Sequence, residues 1–134
     1  MPAARSVHHI GIAVESLDPA IARYQQLFGA SLEHRDTVAD QGVEAASLLV
    51  GESRVELLAP LGVDTPVGRF LAKRGPGLHH VAFEVADLPA ELARLRAAGT
   101  QLIDEEPRQG LFGLQVAFIH PDAAGGVLAE LVSG

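Results

Sequence analysis

One strand occurs twice in this chain. His8-His9-Ile10-Gly11-Ile12-Ala13-Val14 returns as His79-His80-Val81-Ala82-Phe83-Glu84-Val85, so the second histidine of the pair moves from position 9 to position 80, 71 residues on. The match continues past the strand: Leu17 to Tyr24 lies over Leu88 to Leu95 at the same displacement, and Gly29 lies over Gly99 one deletion later. A repeat of this length fixes the fold class before any other feature is weighed, because two like units have to bury their apolar faces somewhere. At 134 residues the halves are expected to share one core as a single domain, 1–134, with modules at about 5–62 and 76–134.

Punctuation within the modules gives their element order. Val7 to Val14 reads as a strand with His9, Gly11 and Ala13 on one face and Ile10, Ile12 and Val14 on the other. The larger residues are expected in the core, and the small ones should keep the second face open. Ser16 to Asp18 with Pro19 starts a helix, the apolar positions Ile21, Tyr24, Leu27 and Phe28 follow helical spacing, and Gly29 stops it. Strands are expected at Ser31–Thr37, Ala45–Val50 and Arg54–Ala59, with turns at Asp40-Gln41-Gly42 and Gly51-Glu52-Ser53. A short helix over Thr65–Arg74 and the link Gly75-Pro76-Gly77 lead to the second module. There, Leu78–Val85, Gln101–Asp104, Leu114–Ile119 and Val127–Val132 are expected strands, with a helix over Asp87–Ala98. The fold class is therefore α+β: two tandem βαβββ modules forming a curved, mostly antiparallel sheet.

The formal net charge of −7 argues against a nucleic-acid or anionic-membrane surface, since both want basic patches. No cysteine is present, so disulfide and thiolate chemistry are excluded. No apolar run approaches the roughly 18 residues of a membrane span. The N-terminal twenty residues hold His8, His9, Glu15 and Asp18, so no secretory leader is expected and the cytoplasm is the expected compartment.

The last strands repeat too. Val55-Glu56-Leu57-Leu58 lies over Ala129-Glu130-Leu131-Val132, from position 56 to position 130, 74 residues on. Each half thus offers a histidine on its first strand and a glutamate on its last: His9 with Glu56, and His80 with Glu130. A carboxylate flanked by apolar strand residues is costly to bury unless it is paired or holds a cation. If the last strand of each half pairs beside the first, a pseudo-twofold arrangement brings all four to one concave face. Two imidazoles and two carboxylates suit a borderline divalent ion such as Co²⁺, Mn²⁺, Ni²⁺ or Zn²⁺, with two positions left for a bidentate oxygen ligand. Alternation turns His8 and His79 to the opposite face, where packing is expected of them. His34 is expected to be exposed, and His120 to be structural or at the site mouth.

These modules, with HHIGIAV, RVELLAP, GLHHVAFEV and GGVLAELV, resemble the vicinal-oxygen-chelate superfamily of glyoxalase I and the extradiol dioxygenases. Along SLDPAIARYQQLFGASLEHRDTVADQGV, VELLAPLGVDTPVGRFLAKRGPGLHHVAFEV and LIDEEPRQG to FIHPDAAGGVLAELV the chain is similar to the methylmalonyl-CoA epimerase family. The resemblance implies metal ligands at His9, His80 and Glu130, with Glu56 at the fourth position, and a homodimer. It also implies a metal-dependent epimerisation of (R)- and (S)-methylmalonyl-CoA, a small-molecule acyl-CoA substrate, through an enolate stabilised by chelation of two oxygens on one carbon. Glu130 is then the first candidate proton carrier. Certain relatives place a second glutamate three residues beyond the glycine of the Gln-Gly turn. Here that position is Ala45, and the glutamate is Glu44, one residue earlier. Such a step turns a strand side chain to the other face unless a bulge corrects it. Glu44 is carried as the candidate second base, with Glu56, a water or Gln41 as alternatives. Arg69, Lys73 and Arg74 form the one local cation cluster, either a phosphate contact or a solvated helix face.

Two other functions fit the same fold. A glyoxalase I-type lactoylglutathione lyase would share the metal, and a metal-free ligand-sequestering resistance protein would not need one.

Overall fold

The structure, a computed structural model, describes residues 3–134. The order is β1 (Ala4–Ala13), α1 (Leu17–Phe28), β2 (Ser31–Val38), β3 (Val43–Val50), β4 (Ser53–Pro60), α2 (Pro66–Arg74), β5 (Gly77–Val85), α3 (Leu88–Ala97), β6 (Arg108–Gln109), β7 (Gln115–Ile119) and β8 (Ala129–Ser133). The expected βαβββ order therefore appears twice. Two compact units result, residues 9–79 and residues 80–134 with the segment up to His8.

In the 9–79 unit the strands run β2-β3-β4-β1. β1 pairs with β4 in parallel, while β2–β3 and β3–β4 are antiparallel. Helix α1 packs Leu17, Ala20 and Ile21 against Ala46, Leu48, Leu57 and Ala59. It ends where Gly29 takes φ 65° and sends its N–H back to the carbonyl of Gln25, a left-handed turn that costs glycine little. Leu27 and Phe28 are not core residues as their spacing suggests; they are 62% and 59% exposed, with Phe28 against Tyr24 at 5.5 Å. Only the helix's first two turns reach the packed patch. The expected assignment of faces on β1 also needs correction. His9 and Ala13 are 4% and 0% exposed, whereas Ile10 is 37% exposed. Ile12 and Val14 do pack on the α1 cluster, but the small-residue face is the more deeply covered one.

In the other unit the order is β5-β8-β7-β6. β5 and β8 run parallel, and β7–β8 and β6–β7 antiparallel. Asp87 caps α3 by accepting from the N–H of Ala90 at 3.1 Å, and Leu88 and Leu92 bury against Val85, Ala117 and Leu131. The strand expected at Gln101–Asp104 is absent: Leu102 makes one bridge to Ile119, and the second short strand falls at Arg108–Gln109. The reason is local. Both Ile103 and Asp104 donate their N–H to the Phe118 carbonyl, and the Asp104 carboxylate accepts the Phe118 N–H at 2.9 Å. A side chain has taken the place of the next backbone acceptor, so the ladder stops after one rung.

Candidate metal centre

Among the described residues, the buried polar side chains are His9, Ser47, Glu56, His80 and Glu130, each 4–7% exposed. Four of these five are the residues singled out by the repeat. The fifth, Ser47, carries no sequence signal of its own, because a serine between Ala46 and Leu48 reads as any strand residue.

Strand register explains each half. In the 9–79 unit, β1 and β4 pair Gly11 with Glu56, so alternation sets His9, two residues before Gly11, on the Glu56 face. His9 Nε2 stands 3.5 Å from Glu56 Oε2. In the other unit, β5 and β8 pair Ala82 with Glu130, which sets His80 on the Glu130 face, and His80 Nε2 stands 3.5 Å from Glu130 Oε1. Gly11 and Ala82, the residues beside the two carboxylates, are both small. Parallel pairing of first with last strand thus builds one imidazole–carboxylate pair per module, as the repeat predicts.

Both separations are wider than the 2.7–3.2 Å usual for an N–H···O hydrogen bond. Two donors each about 2.1 Å from one ion stand roughly 3.0–3.4 Å apart at right or tetrahedral angles, close to the spacing seen. Burial adds weight, because an ionised carboxylate taken out of water costs several kcal/mol unless a charge answers it. Imidazole nitrogen with carboxylate oxygen is the donor chemistry of borderline divalent ions, so the residues present fit such an ion.

Glu44 falls elsewhere. Across β3 and β4 the register is unbroken from Val43↔Pro60 to Val50↔Ser53, with Ser47 opposite Glu56 and Glu44 opposite Ala59. No bulge intervenes, so Glu44 shares the α1 face with Ala46 and Leu48, half-buried and 3.8 Å from Arg35 Nη2. Arg35 is in turn held by Asp18 of α1, which raises the guanidinium's proton affinity further. The base role expected of Glu44 has no support in this geometry, and Ala45, fully buried, takes the position on the Glu56 face.

A second polar group does reach that face. The β2–β3 register shifts between Leu32 and His34, so Glu33 is the extra residue of a bulge and its side chain turns toward Ser47. Ser47 Oγ donates to Glu33 Oε1 at 2.9 Å, and Arg54 grips the same carboxylate through Nε at 3.0 Å and Nη2 at 3.2 Å. The Arg54 hydrogen bond is the largest influence holding the Glu33 carboxyl below its ordinary range, with Ser47 adding to it and partial burial opposing. In the other unit the residue opposite the glutamate is Phe118, whose ring meets His80 edge-on at 5.7 Å.

The remaining candidates are structural. His79 packs edge-on against Phe70 of α2 at 4.9 Å, the packing role expected of it. His120 Nδ1 accepts from the N–H of Asp122 at 3.1 Å and so caps the turn after β7. Arg69 is paired with Asp64 at 3.0 Å and Arg74 lies over the Phe70 ring at 5.8 Å, so two of the three clustered cations are engaged within their own segment. Among the described residues no helix is long and apolar enough to cross a membrane.

Comparison with known proteins agrees with this architecture. The family model of the glyoxalase/bleomycin resistance protein/dioxygenase superfamily matches residues 8–118. An ethylmalonyl-CoA/methylmalonyl-CoA epimerase of Cereibacter sphaeroides is 36% identical over 127 residues, covering 93% of this chain and 95% of that protein. The crystal structure of methylmalonyl-CoA epimerase from Mycobacterium tuberculosis superposes with a TM-score of 0.93 at 41% identity, over 98% of this chain and 89% of that one. A methylmalonyl-CoA epimerase in complex with methylmalonyl-CoA and NH4+ gives a TM-score of 0.94 at 37% identity, over 98% and 95%. With two βαβββ modules, a buried histidine–glutamate pair in each, and these likenesses along nearly its whole length, the chain belongs to the methylmalonyl-CoA epimerase family of the vicinal-oxygen-chelate superfamily.

Proposed function

We propose that residues 1–134 act as one domain that interconverts (R)- and (S)-methylmalonyl-CoA, with His9, Glu56, His80 and Glu130 holding one divalent ion. The observation that carries this reading is the pair of buried imidazole–carboxylate contacts at repeat-equivalent positions, each 3.5 Å across. The substrate's thioester carbonyl and free carboxylate sit on the same carbon, and the bound ion would supply Lewis acidity to both.

The chain's own groups do the proton work. Glu130 takes the C2 proton as the electron pair moves toward the thioester oxygen. Opposite it, Phe118 offers no hydrogen-bond donor to the carboxylate and covers His80 against water. Reprotonation by a water from the other side gives the other epimer. Glu130 then returns its proton to solvent, so nothing is consumed. Glu56 serves as a ligand.

Co²⁺ as the ion, a homodimer and a cytoplasmic location belong to the same proposal. The test is deuterium wash-in at C2 of methylmalonyl-CoA with the purified, metal-loaded protein. Exchange well above a chelator-treated control is expected, and its absence sinks the proposal. A glutathione hemithioacetal assayed alongside should turn over far more slowly; faster turnover would make the protein a glyoxalase I-type lyase.

A further inference from the structure

Among the described residues, Ser47 is the one deeply buried polar residue to which the proposed chemistry gives no part, and its surroundings are specific. Its backbone stands directly opposite Glu56 in the β3–β4 ladder, on the same face. Residues so opposed have Cβ atoms about 4.5–5.5 Å apart, within reach of a hydroxyl and a carboxylate. A serine there would ordinarily donate its single proton to that neighbouring carboxylate. Here the proton goes to Glu33, and Glu33 is kept anionic and aimed by the two-pronged grip of Arg54. Three strands contribute: the bulge in β2 supplies Glu33, β3 supplies Ser47 and β4 supplies Arg54.

We propose that Glu33, held by Arg54, is a positioning residue for the ion site: it draws the Ser47 hydroxyl proton away from Glu56. A hydroxyl has one proton to give. With that proton on Glu33, Ser47 turns lone pairs rather than a donor toward its neighbours, and no serine hydrogen bond competes with the cation for the Glu56 oxygens. Without Glu33 the hydroxyl rotates and donates to Glu56, turning a carboxylate oxygen toward the serine and out of its alignment with the ion. The second half-site needs no such device, since Phe118 stands where Ser47 does and has no proton to divert. This inference rests on Glu56 being a ligand, and the experiment separates the two claims.

The experiment is calorimetric titration of Co²⁺ into the chelator-stripped full-length protein, with the cobalt visible spectrum recorded in parallel. Glu33→Ala should weaken Co²⁺ binding about 10-fold, the scale of losing a group that orients a metal ligand. Adding Ser47→Ala to Glu33→Ala should restore the wild-type affinity to within about 2-fold, because the diverted proton is then gone. A purely structural role for Glu33 predicts no such rescue. Ser47→Ala alone should leave affinity unchanged within about 2-fold, and this variant decides the matter if Glu33→Ala does not fold. A loss in Ser47→Ala alone, an unchanged Kd in folded Glu33→Ala, or a failed rescue each overturns the inference. Absence of Co²⁺ binding by the wild-type protein instead refutes the metal reading on which it stands.

Discussion

Opposite Glu56 in its sheet stands a serine; opposite Glu130 stands a phenylalanine. The two half-sites are equal in their imidazole–carboxylate geometry, 3.5 Å in each, and unequal in nearly everything around it. On the Glu56 side, Ser47, Glu33 and Arg54 form a hydrogen-bonded polar cluster. On the Glu130 side, Ala82, Val116 and Val132 pack together and Phe118 lies against His80. Duplication supplied two copies of the imidazole–carboxylate pair, and divergence one strand away gave them different surroundings. A polar surround suits a carboxylate that stays an anionic ligand, and an apolar, dry surround suits one that takes and returns a proton.

If that division holds, the two glutamates answer the same substitution differently. Glu130→Gln should lower the rate of C2 exchange by about 10²–10⁴-fold, the usual worth of a positioned proton carrier. Glu56→Gln keeps an oxygen donor and should cost no more than about 10-fold, a loss on the scale of outer-shell tuning. Equal losses measured by deuterium exchange would erase the proposed asymmetry.

Stability offers the next test. His9→Ala and His80→Ala each remove the imidazole facing a buried carboxylate, and each should destabilise the metal-stripped protein by up to about 3–5 kcal/mol in urea melts. Replacing Asp104 by Ala should cost about 1–3 kcal/mol by leaving the Phe118 N–H without its acceptor, with Co²⁺ affinity unaltered.

The Glu33–Arg54 pair predicts a pH signature confined to the 9–79 unit. Because Arg54 lowers the folded-state pKa of Glu33 below its ordinary 4.5, the pair's contribution to stability is present above that value. It is lost as pH falls through the lowered one. Arg54→Met should therefore destabilise at pH 7 and progressively less below about pH 4. Both groups are partly exposed, so the effect at pH 7 is small, on the order of 1 kcal/mol. A pH-independent difference would mean that Arg54 contributes only packing. The smallest effect is expected of Glu44→Ala, about 3-fold or less in turnover, since its carboxylate shares the α1 face with Arg35. A 100-fold loss there would return Glu44 to the proton chemistry.

Much of this was legible in the residues, and the reason is periodicity. His9 and His80, Glu56 and Glu130 stand at matching places in a repeat, while the pairing of last strand beside first, only a condition in the sequence, is supplied by the parallel registers of β1 with β4 and β5 with β8. What surrounds them was not legible, because it depends on register across strands. Ser47 becomes notable only once it is seen opposite Glu56. Glu33 reaches the site face through a bulge that nothing in Leu32-Glu33-His34 announces. Glu44 shows the converse, since its one-residue offset from Ala45 foretold the face it takes. The missing strand at Gln101–Asp104 failed for a different reason: Asp104 bonds backbone groups of β7 and ends the ladder that its neighbours would have extended.

The claim that the two unequal halves serve one ion is tested most directly by counting ions. Co²⁺ bound per chain, measured by elemental analysis after loading and exhaustive dialysis, should be one, and should fall to near zero in both His9→Ala and His80→Ala. Two ions per wild-type chain, or none, or an ion retained when either histidine is removed, would contradict it.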